Sequence, residues 1–335
     1  MDDSFCTILL CVIVLDRKGE DRLQRGTRAV HFVEPTRESL HGAFSRDWPP
    51  ILTIDPGDTV CFRTLDAGWN LEGRVVPPKK FEPRIAERDN GHALCGPIAI
   101  RGAEPGMMLA IQIDKVVPGS WGWSVAGGWD SPLNRRLGIV EGEYGHNWEL
   151  DVEKMTGRNQ YGHIIRLSPF MGVMGMPPDT ADLVPSWKPR IQGGNIDCKE
   201  LVTGSTLYLP IAVAGGLFST GDGHALQGDG EISSTGIECP MERVEMTFQL
   251  ETQPRLQTPY ATTPAGWITF GFHEDLNEAT MLALEAMLHL MQSNAMSRRD
   301  AVALASLCVD LRITQIVNGV RGVHAVLPHD AIKLS

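Results

Sequence analysis

Apolar and polar positions alternate in short runs along most of this chain, with the two-residue period of a half-buried strand. From Val30 onward the runs are separated by turn residues. Ile51 to Leu65, ILTIDPGDTVCFRTL, reads as strand, Pro-Gly turn, strand. Ala99 to Val117 repeats the design around Glu104-Pro105-Gly106, and the likeness of DPGDTVCF to EPGMMLAI suggests a duplicated β-unit. LSPFMGVMGM (Leu167 to Met176) and LYLPIAVAGGLFS (Leu207 to Ser219) read as buried strand. WGWSVAGGW (Trp121 to Trp129) is too rich in glycine for a core strand and reads as an aromatic loop able to line a pocket. Residues 131–160 are polar and read as irregular. The last third changes character. Asp275-Leu-Asn-Glu278 is a capping-box pattern ahead of an amphipathic helix running to about Gln292. Ser297-Arg-Arg-Asp300 opens a shorter helix, and LCVDLRITQIV (Leu307 to Val317) alternates like a strand with Arg312 and Gln315 facing solvent or a subunit interface. The pattern predicts a mainly β fold with a short helical pair near the C-terminus.

Composition narrows this picture. The 35 glycines and 22 prolines favour many turns and short strands. A net charge of −11, from 41 acids against 30 bases, argues against nucleic-acid partners and anionic membranes. The seven cysteines, at 6, 11, 61, 95, 198, 239 and 308, form no C-x-x-C pair. A disulfide framework is therefore not expected, and a reducing, cytoplasmic compartment is. The apolar run FCTILLCVIVL (Phe5 to Leu15) is too short to span a bilayer and follows Asp2 and Asp3 where a signal peptide carries basic residues. Residues 1–27 read as an extension, and residues 28–335 as the folded domain.

The candidate chemistry lies between Gly193 and Glu231. Asn195, Asp197, Asp222, His224, Asp229 and Glu231 sit there among glycines. Glycine permits sharp turns and close approach, which suits convergent ligands. Asp222 and His224 are two apart, as are Asp229 and Glu231, so each pair shares one face of an extended chain. Mixed oxygen and nitrogen donors suit Zn²⁺ better than Ca²⁺. We take Asp197, Asp222 and His224 as metal ligands, with His92 of NGHALCGP as a further one. Glu231 and Glu104 are candidate proton carriers, Asn195 a candidate oxyanion donor, and Trp121 and Trp123 candidate pocket walls.

Several motifs resemble the acetamidase/formamidase family: GPIAIRGAEPG (Gly96 to Gly106), GGNIDCKEL (Gly193 to Leu201), GSTLYLP (Gly204 to Pro210), GDGHALQGDGE (Gly221 to Glu231) and DLRITQIV (Asp310 to Val317). The likeness covers roughly residues 30 to 330. It implies a mainly β, sandwich- or barrel-like, oligomeric amidohydrolase that converts small aliphatic amides to carboxylate and ammonia, with metal, often zinc, in its site. Asp66-Ala-Gly-Trp-Asn70 departs from the family's usual Gly-Gly-Gln-like turn, which alters the expected pocket. Two rivals remain open at this point. One is covalent catalysis by Cys198, in Cys198-Lys199-Glu200. The other is a non-catalytic β-sandwich that binds a metal and a carbohydrate through WGWSVAGGW.

Overall fold

The computed structural model describes residues 28–73, 79–292 and 296–333; the Phe5 to Leu15 run lies outside them. Two sheets dominate. The larger has nine strands in the spatial order Val30–Val33, Thr59–Thr64, Met241–Glu251, Met108–Pro118, Thr206–Pro210, Tyr260–Thr263, Gly266–His273, Arg321–Leu327, Asp310–Gln315. The smaller follows the order Gly193–Asn195, Phe170–Gly175, Phe218–His224, Leu94–Ile100, Leu40–His41, with Leu52–Ile54 pairing in parallel with Leu94–Ile100. Their inner faces meet. Phe218 of the smaller sheet packs edge-on against Phe62 and Phe248 of the larger, at centroid distances of 6.5 and 5.1 Å. Side chains of both sheets interdigitate in one core, as in a β-sandwich. Among the described residues, neither sheet closes into a barrel.

The two Pro-Gly turns connect sheets and do not close hairpins. Leu52–Ile54 belongs to the smaller sheet and Thr59–Thr64 to the larger; Leu94–Ile100 and Met108–Pro118 make the same passage. The LYLPIAVAGGLFS run is likewise two strands, Thr206–Pro210 in the larger sheet and Phe218–His224 in the smaller. Gly215 and Gly216, with φ of 82° and 72°, turn the chain between them.

Two further expectations are corrected. Trp121–Ala126 is a strand, not a loop; its glycine at 122 lies against Ile237 and the Glu238 carbonyl, where a Cβ would collide. The stretch 131–160 holds a helix, Pro132–Leu137, and the strands Tyr144–Asp151 and Thr156–Asn159. Only Trp148 and Leu150 of the Tyr144–Asp151 strand are buried, so its alternation is faint in the sequence.

The C-terminal helices form as the sequence predicts. Asp275 Oδ1 accepts the Asn277 and Glu278 N–H groups at the start of Leu276–Gln292, and Ser297 caps Arg298–Cys308. The long helix packs on Gly266–His273 and Arg321–Leu327. Gly271 makes that approach possible: a Cβ there would lie 2.0 Å from the Ala279 carbonyl oxygen. The following strand is Asp310–Gln315, with Leu307 and Cys308 still helical. No helix among the described residues is long and apolar enough to cross a membrane. The described cysteines are all free thiols.

Candidate active site

The site is built at one end of the smaller sheet. Asp197 follows the Gly193–Asn195 strand, and the Ile196 and Asp197 N–H groups both donate to the Gly172 carbonyl, at 3.0 and 3.2 Å. Asp222 and His224 lie on the neighbouring-but-one strand, Phe218–His224, with Phe170–Gly175 between. Gly172 on that middle strand is the floor of the site. A Cβ there would sit 2.6 Å from both Asp197 Oδ1 and Asp222 Oδ2. The absence of a side chain is what lets the two carboxylates face one point.

Glu231 arrives from a loop held against the larger sheet. The Gly230 N–H donates to the Thr314 carbonyl and the Ile316 N–H to the Gly230 carbonyl, at 3.0 and 3.2 Å. Glu238, which the sequence reading missed, is bridged by its backbone to both Trp123 and His224. Its signal was a carboxylate inside an apolar run, Ile237-Glu238-Cys239, where only a partner or an ion compensates the cost of burial. Donor atoms of Asp197, His224 and Glu231 lie within 4.8 Å of one another, as do those of Asp222, His224 and Glu238. His224 is shared: its Nε2 is 3.0 Å from Glu238 Oε1 and 3.4 Å from Asp222 Oδ1. The Phe170 ring stands edge-on to the imidazole at 5.2 Å and fixes its plane.

Outer groups orient these ligands. Asn318 donates to Asp197 Oδ2 at 2.7 Å, Gln227 to the Asp197 carbonyl at 2.9 Å, and the Gly236 N–H to Glu238 Oε1 at 3.0 Å. Asn318 and Gln227 were also missed, since neither stands in an acidic motif. Even so, Asn195 Oδ1, Asp197 Oδ1, both His224 nitrogens, Gln227 Oε1, Glu231 Oε2 and Glu238 Oε2 are buried without a hydrogen-bond partner. Buried polar atoms are almost always paired, and His224 Nε2 has only its ion-pair contacts to Glu238 and Asp222, so the orphaned atoms of Asp197, His224, Glu231 and Glu238 fit a cation beside His224.

Electrostatics agree. Burial raises Asp197, and Asp222 raises it further, to about 6 against the opposing pull of His224, Asn318 and His92. Burial pushes Glu238 up to about 8 and Glu231 well above the usual carboxylate range, the latter helped by the charge of Asp197. Burial works against ionised Asp222 too, but His92 and His224 outweigh it and hold that carboxyl below its ordinary value. His224 rises well above its usual value despite burial, because Glu238 and Asp222 face it. Four carboxylates packed this closely share protons unless a cation replaces them.

The other expected residues fall as follows. Asn195 is buried two residues before Asp197. His92 stands close enough to act electrostatically on Asp197 and Asp222, while its ring bonds Ser186 at 3.3 Å. Glu104 is exposed on the turn between sheets, and among the described residues no hydrogen bond or ion pair ties it to the cluster. Asp229 does not accompany Glu231; it pairs with Lys199 and Arg312, because the segment is a loop where strand alternation fails. Arg312 keeps 32% of its side chain exposed while it pairs with Glu200 and Asp229, whereas Gln315 is fully buried and does not face solvent. Trp123 flanks the site beside Glu238 and donates its indole N–H to Asp66 at 2.6 Å; Trp121 is half-buried over Gly73. Asn70, the unusual residue of the 66–70 turn, also bonds Asp66, through its backbone and its side chain. Cys198 points into a different cluster, where burial and the Glu200 charge raise its thiol well above the ordinary value.

A sequence model described as the acetamidase/formamidase family matches residues 30–192 and 184–264. The acetamidase of Mycolicibacterium smegmatis is 25% identical over 255 residues, 58% of this chain and 62% of its own length. The formamidase of Methylophilus methylotrophus is 27% identical over 248 residues, 59% of this chain and 60% of its own. The chain thus spans about three fifths of the length of the curated relatives it matches. The crystal structure of an acetamidase from Bacillus halodurans superposes with a TM-score of 0.77 at 26% identity, covering 89% of this chain and 97% of that one.

Proposed function

Because this chain belongs to the acetamidase/formamidase family, we propose that it hydrolyses small aliphatic amides, formamide or acetamide, to the carboxylate and ammonia with a divalent cation in the site. The observation that carries the reading is the set of buried oxygen and nitrogen atoms without hydrogen-bond partners that Asp197, Glu231 and Glu238 present around His224. Asp197, Asp222 and His224 would hold the ion, with Glu238 beside His224. Mixed imidazole and carboxylate donors in a small, rigid cradle suit Zn²⁺ better than Ca²⁺, which takes six to eight oxygens. Such an ion supplies Lewis acidity to the amide carbonyl and to the attacking water.

The residues of the chain supply the rest. Glu231, at 6% exposure the most accessible of the four clustered carboxylates, takes the proton of the attacking water and delivers it to the leaving nitrogen. A carboxyl whose pKa is raised by burial is suited to both halves of that transfer. Asn195 offers its amide N–H to the developing oxyanion. Asn318 and Gln227 keep Asp197 in place, and Phe170 and Glu238 keep His224 in place. Trp123, braced by Asp66 and paired through its backbone with Glu238, is the candidate wall against which a small acyl group would pack.

Two observations weigh against the rivals. The Cys198 thiol is buried outside this cluster, and burial and the Glu200 charge disfavour the free thiolate that a nucleophile needs. The indole N–H of Trp123 is already bonded to a buried carboxylate, which leaves little of the Trp121–Ala126 segment for a sugar. Ammonia release by the full chain, measured over formamide, acetamide, propionamide and longer amides, tests the reading. We expect turnover of the shortest amides that falls with chain length. Absence of ammonia from every amide, with zinc present, would refute it.

Assembly of identical copies is part of the same reading. Both edges of the larger sheet expose apolar side chains: Val30 and Phe32 at one, Leu311 and Ile313 at the other. An open edge with apolar side chains favours pairing with another copy. Light scattering should return a multiple of the 36.7 kDa chain mass, and a monomer at micromolar concentration would contradict it.

A further inference from the structure

A second donor cluster lies beside the site and takes no part in the chemistry above. Cys198, Glu200 and His324 offer one sulfur, one oxygen and one nitrogen within 4.8 Å of one another, all buried. Cys198 Sγ is 3.4 Å from Glu200 Oε2, and His324 Nε2 is 3.4 Å from the same oxygen. Tetrahedral Zn²⁺ with sulfur at about 2.3 Å and nitrogen or oxygen at about 2.0–2.1 Å requires donor-to-donor separations of about 3.3–3.6 Å. Both measured edges fall in that range.

The surroundings hold the donors in this orientation. His324 Nδ1 is 2.7 Å from the Thr314 hydroxyl, which turns Nε2 toward the cluster. Arg312 engages Glu200 Oε1 and leaves Oε2 free to face inward. Burial pushes the Glu200 carboxyl up, but His324, Arg312 and the Cys198 thiol outweigh it and hold it at about 2. His324 is fully buried, and its Nε2 has no hydrogen-bond partner. A hydrogen bond between thiol and carboxylate accounts for Cys198 and Glu200 but leaves that nitrogen with only an ion-pair contact to Glu200 Oε2 that is not an aligned hydrogen bond. A cation accounts for all three. Glu200 also lines a crevice of about 400 Å³, together with Ser168, Lys199, Gln227 and Pro264.

We propose that Cys198, Glu200 and His324 form a second metal site, for Zn²⁺ or another thiophilic divalent ion. It joins the turn that carries Asp197 to the strands Asp310–Gln315 and Arg321–Leu327. Its role is to fix that turn, since Cys198 is the residue after Asp197 and His324 lies on the larger sheet. The ion differs in kind from the one proposed at Asp197, Asp222 and His224, whose donors include no sulfur.

That difference makes the site measurable. The full chain is stripped with a chelator and titrated with Co²⁺ alone. A thiolate ligand gives an intense near-ultraviolet charge-transfer band that oxygen and nitrogen donors do not. We expect the band in the unaltered chain and in Cys239→Ser, and its loss in Cys198→Ser and in His324→Gln. If Cys198→Ser does not fold, Glu200→Gln and His324→Gln decide, loss or weakening of the band supporting the site. No band in the unaltered chain, or a band that survives in Cys198→Ser or His324→Gln, would overturn it. The ammonia assay is independent of this readout, so either proposal can fail alone.

Discussion

Asp197, Asp222 and Glu231 each adopt left-handed backbone, with φ of 53°, 57° and 45°. A non-glycine residue pays about 1–2 kcal/mol for that conformation, and three such residues meet at the proposed catalytic centre. Strain of this kind persists where surrounding structure imposes it, and here hydrogen bonds to Gly172, Gly228 and Cys239 do so on the flanking backbone. Among the glycines around these acids, Gly221 and Gly223 serve close approach, to Ala93 and Met241, while Gly215, Gly216 and Gly230 serve turns. Gly172 is the plainest case of close approach. Gly172→Ala would place a methyl 2.6 Å from two carboxylate oxygens. We expect a folded protein whose metal affinity drops by about 10–100-fold, the scale for disturbing a group that orients ligands; calorimetric titration with Zn²⁺ measures it. Glu231→Gln keeps shape while removing the ionisable group. Ammonia release should fall by about 10²–10⁴-fold with metal content unchanged. A near-normal rate in that variant moves the proton transfer to Glu238, which can be tested by the same substitution.

Elements differ in how plainly the sequence announces them. The C-terminal helices were legible because capping acids and hydroxyls precede a 3.6-residue apolar period. The strand carrying Asp222 and His224 was half legible. Its i, i+2 spacing placed both side chains on one face, but the apolar run before it hid a change of sheet at Gly215-Gly216. Trp121–Ala126 was illegible as a strand because its glycine answers to the Ile237–Cys239 segment it packs on, a contact remote in sequence. Glu238 and Asn318 escaped for the same reason: long-range pairing brings them in. At the sheet edge, Asp58 ties the Val30–Val33 strand down by accepting the Ala29 and Asp55 N–H groups and facing His31. Burial raises this carboxyl, but those bonds outweigh it and hold it below 3.8 in the folded protein. A depressed folded value means stability present above the unfolded value and lost as pH falls from about 3.8 through the folded one. Asp58→Asn should therefore lower Tm at neutral pH, and the gap to the unaltered chain should close as pH drops below that range. A gap that stays constant from pH 7 to pH 2.5 would show the carboxylate contributes nothing through its charge.

At the scale of the whole molecule, the sandwich brings two sheets together so that one end can hold acids in a dry setting. The smaller sheet presents Asp197, Asp222 and His224, and the loop carrying Glu231 is pinned to Thr314 and Ile316 beside the last strand of the larger one. Neither sheet alone makes the cluster, which is why motif spacing pointed to the region but not to the full ligand set. The fold also sets the energetic problem that the account resolves. Four carboxylates buried together cost stability unless a cation balances them. The most direct measurement of that claim is ammonia release from formamide and acetamide by the full chain before chelation, after complete removal of metal, and after readdition of Zn²⁺, with bound metal quantified at each stage. Activity should disappear with the metal and return as Zn²⁺ is restored, in step with occupancy of the Asp197, Asp222 and His224 site. Full ammonia release from demonstrably metal-free protein would contradict it.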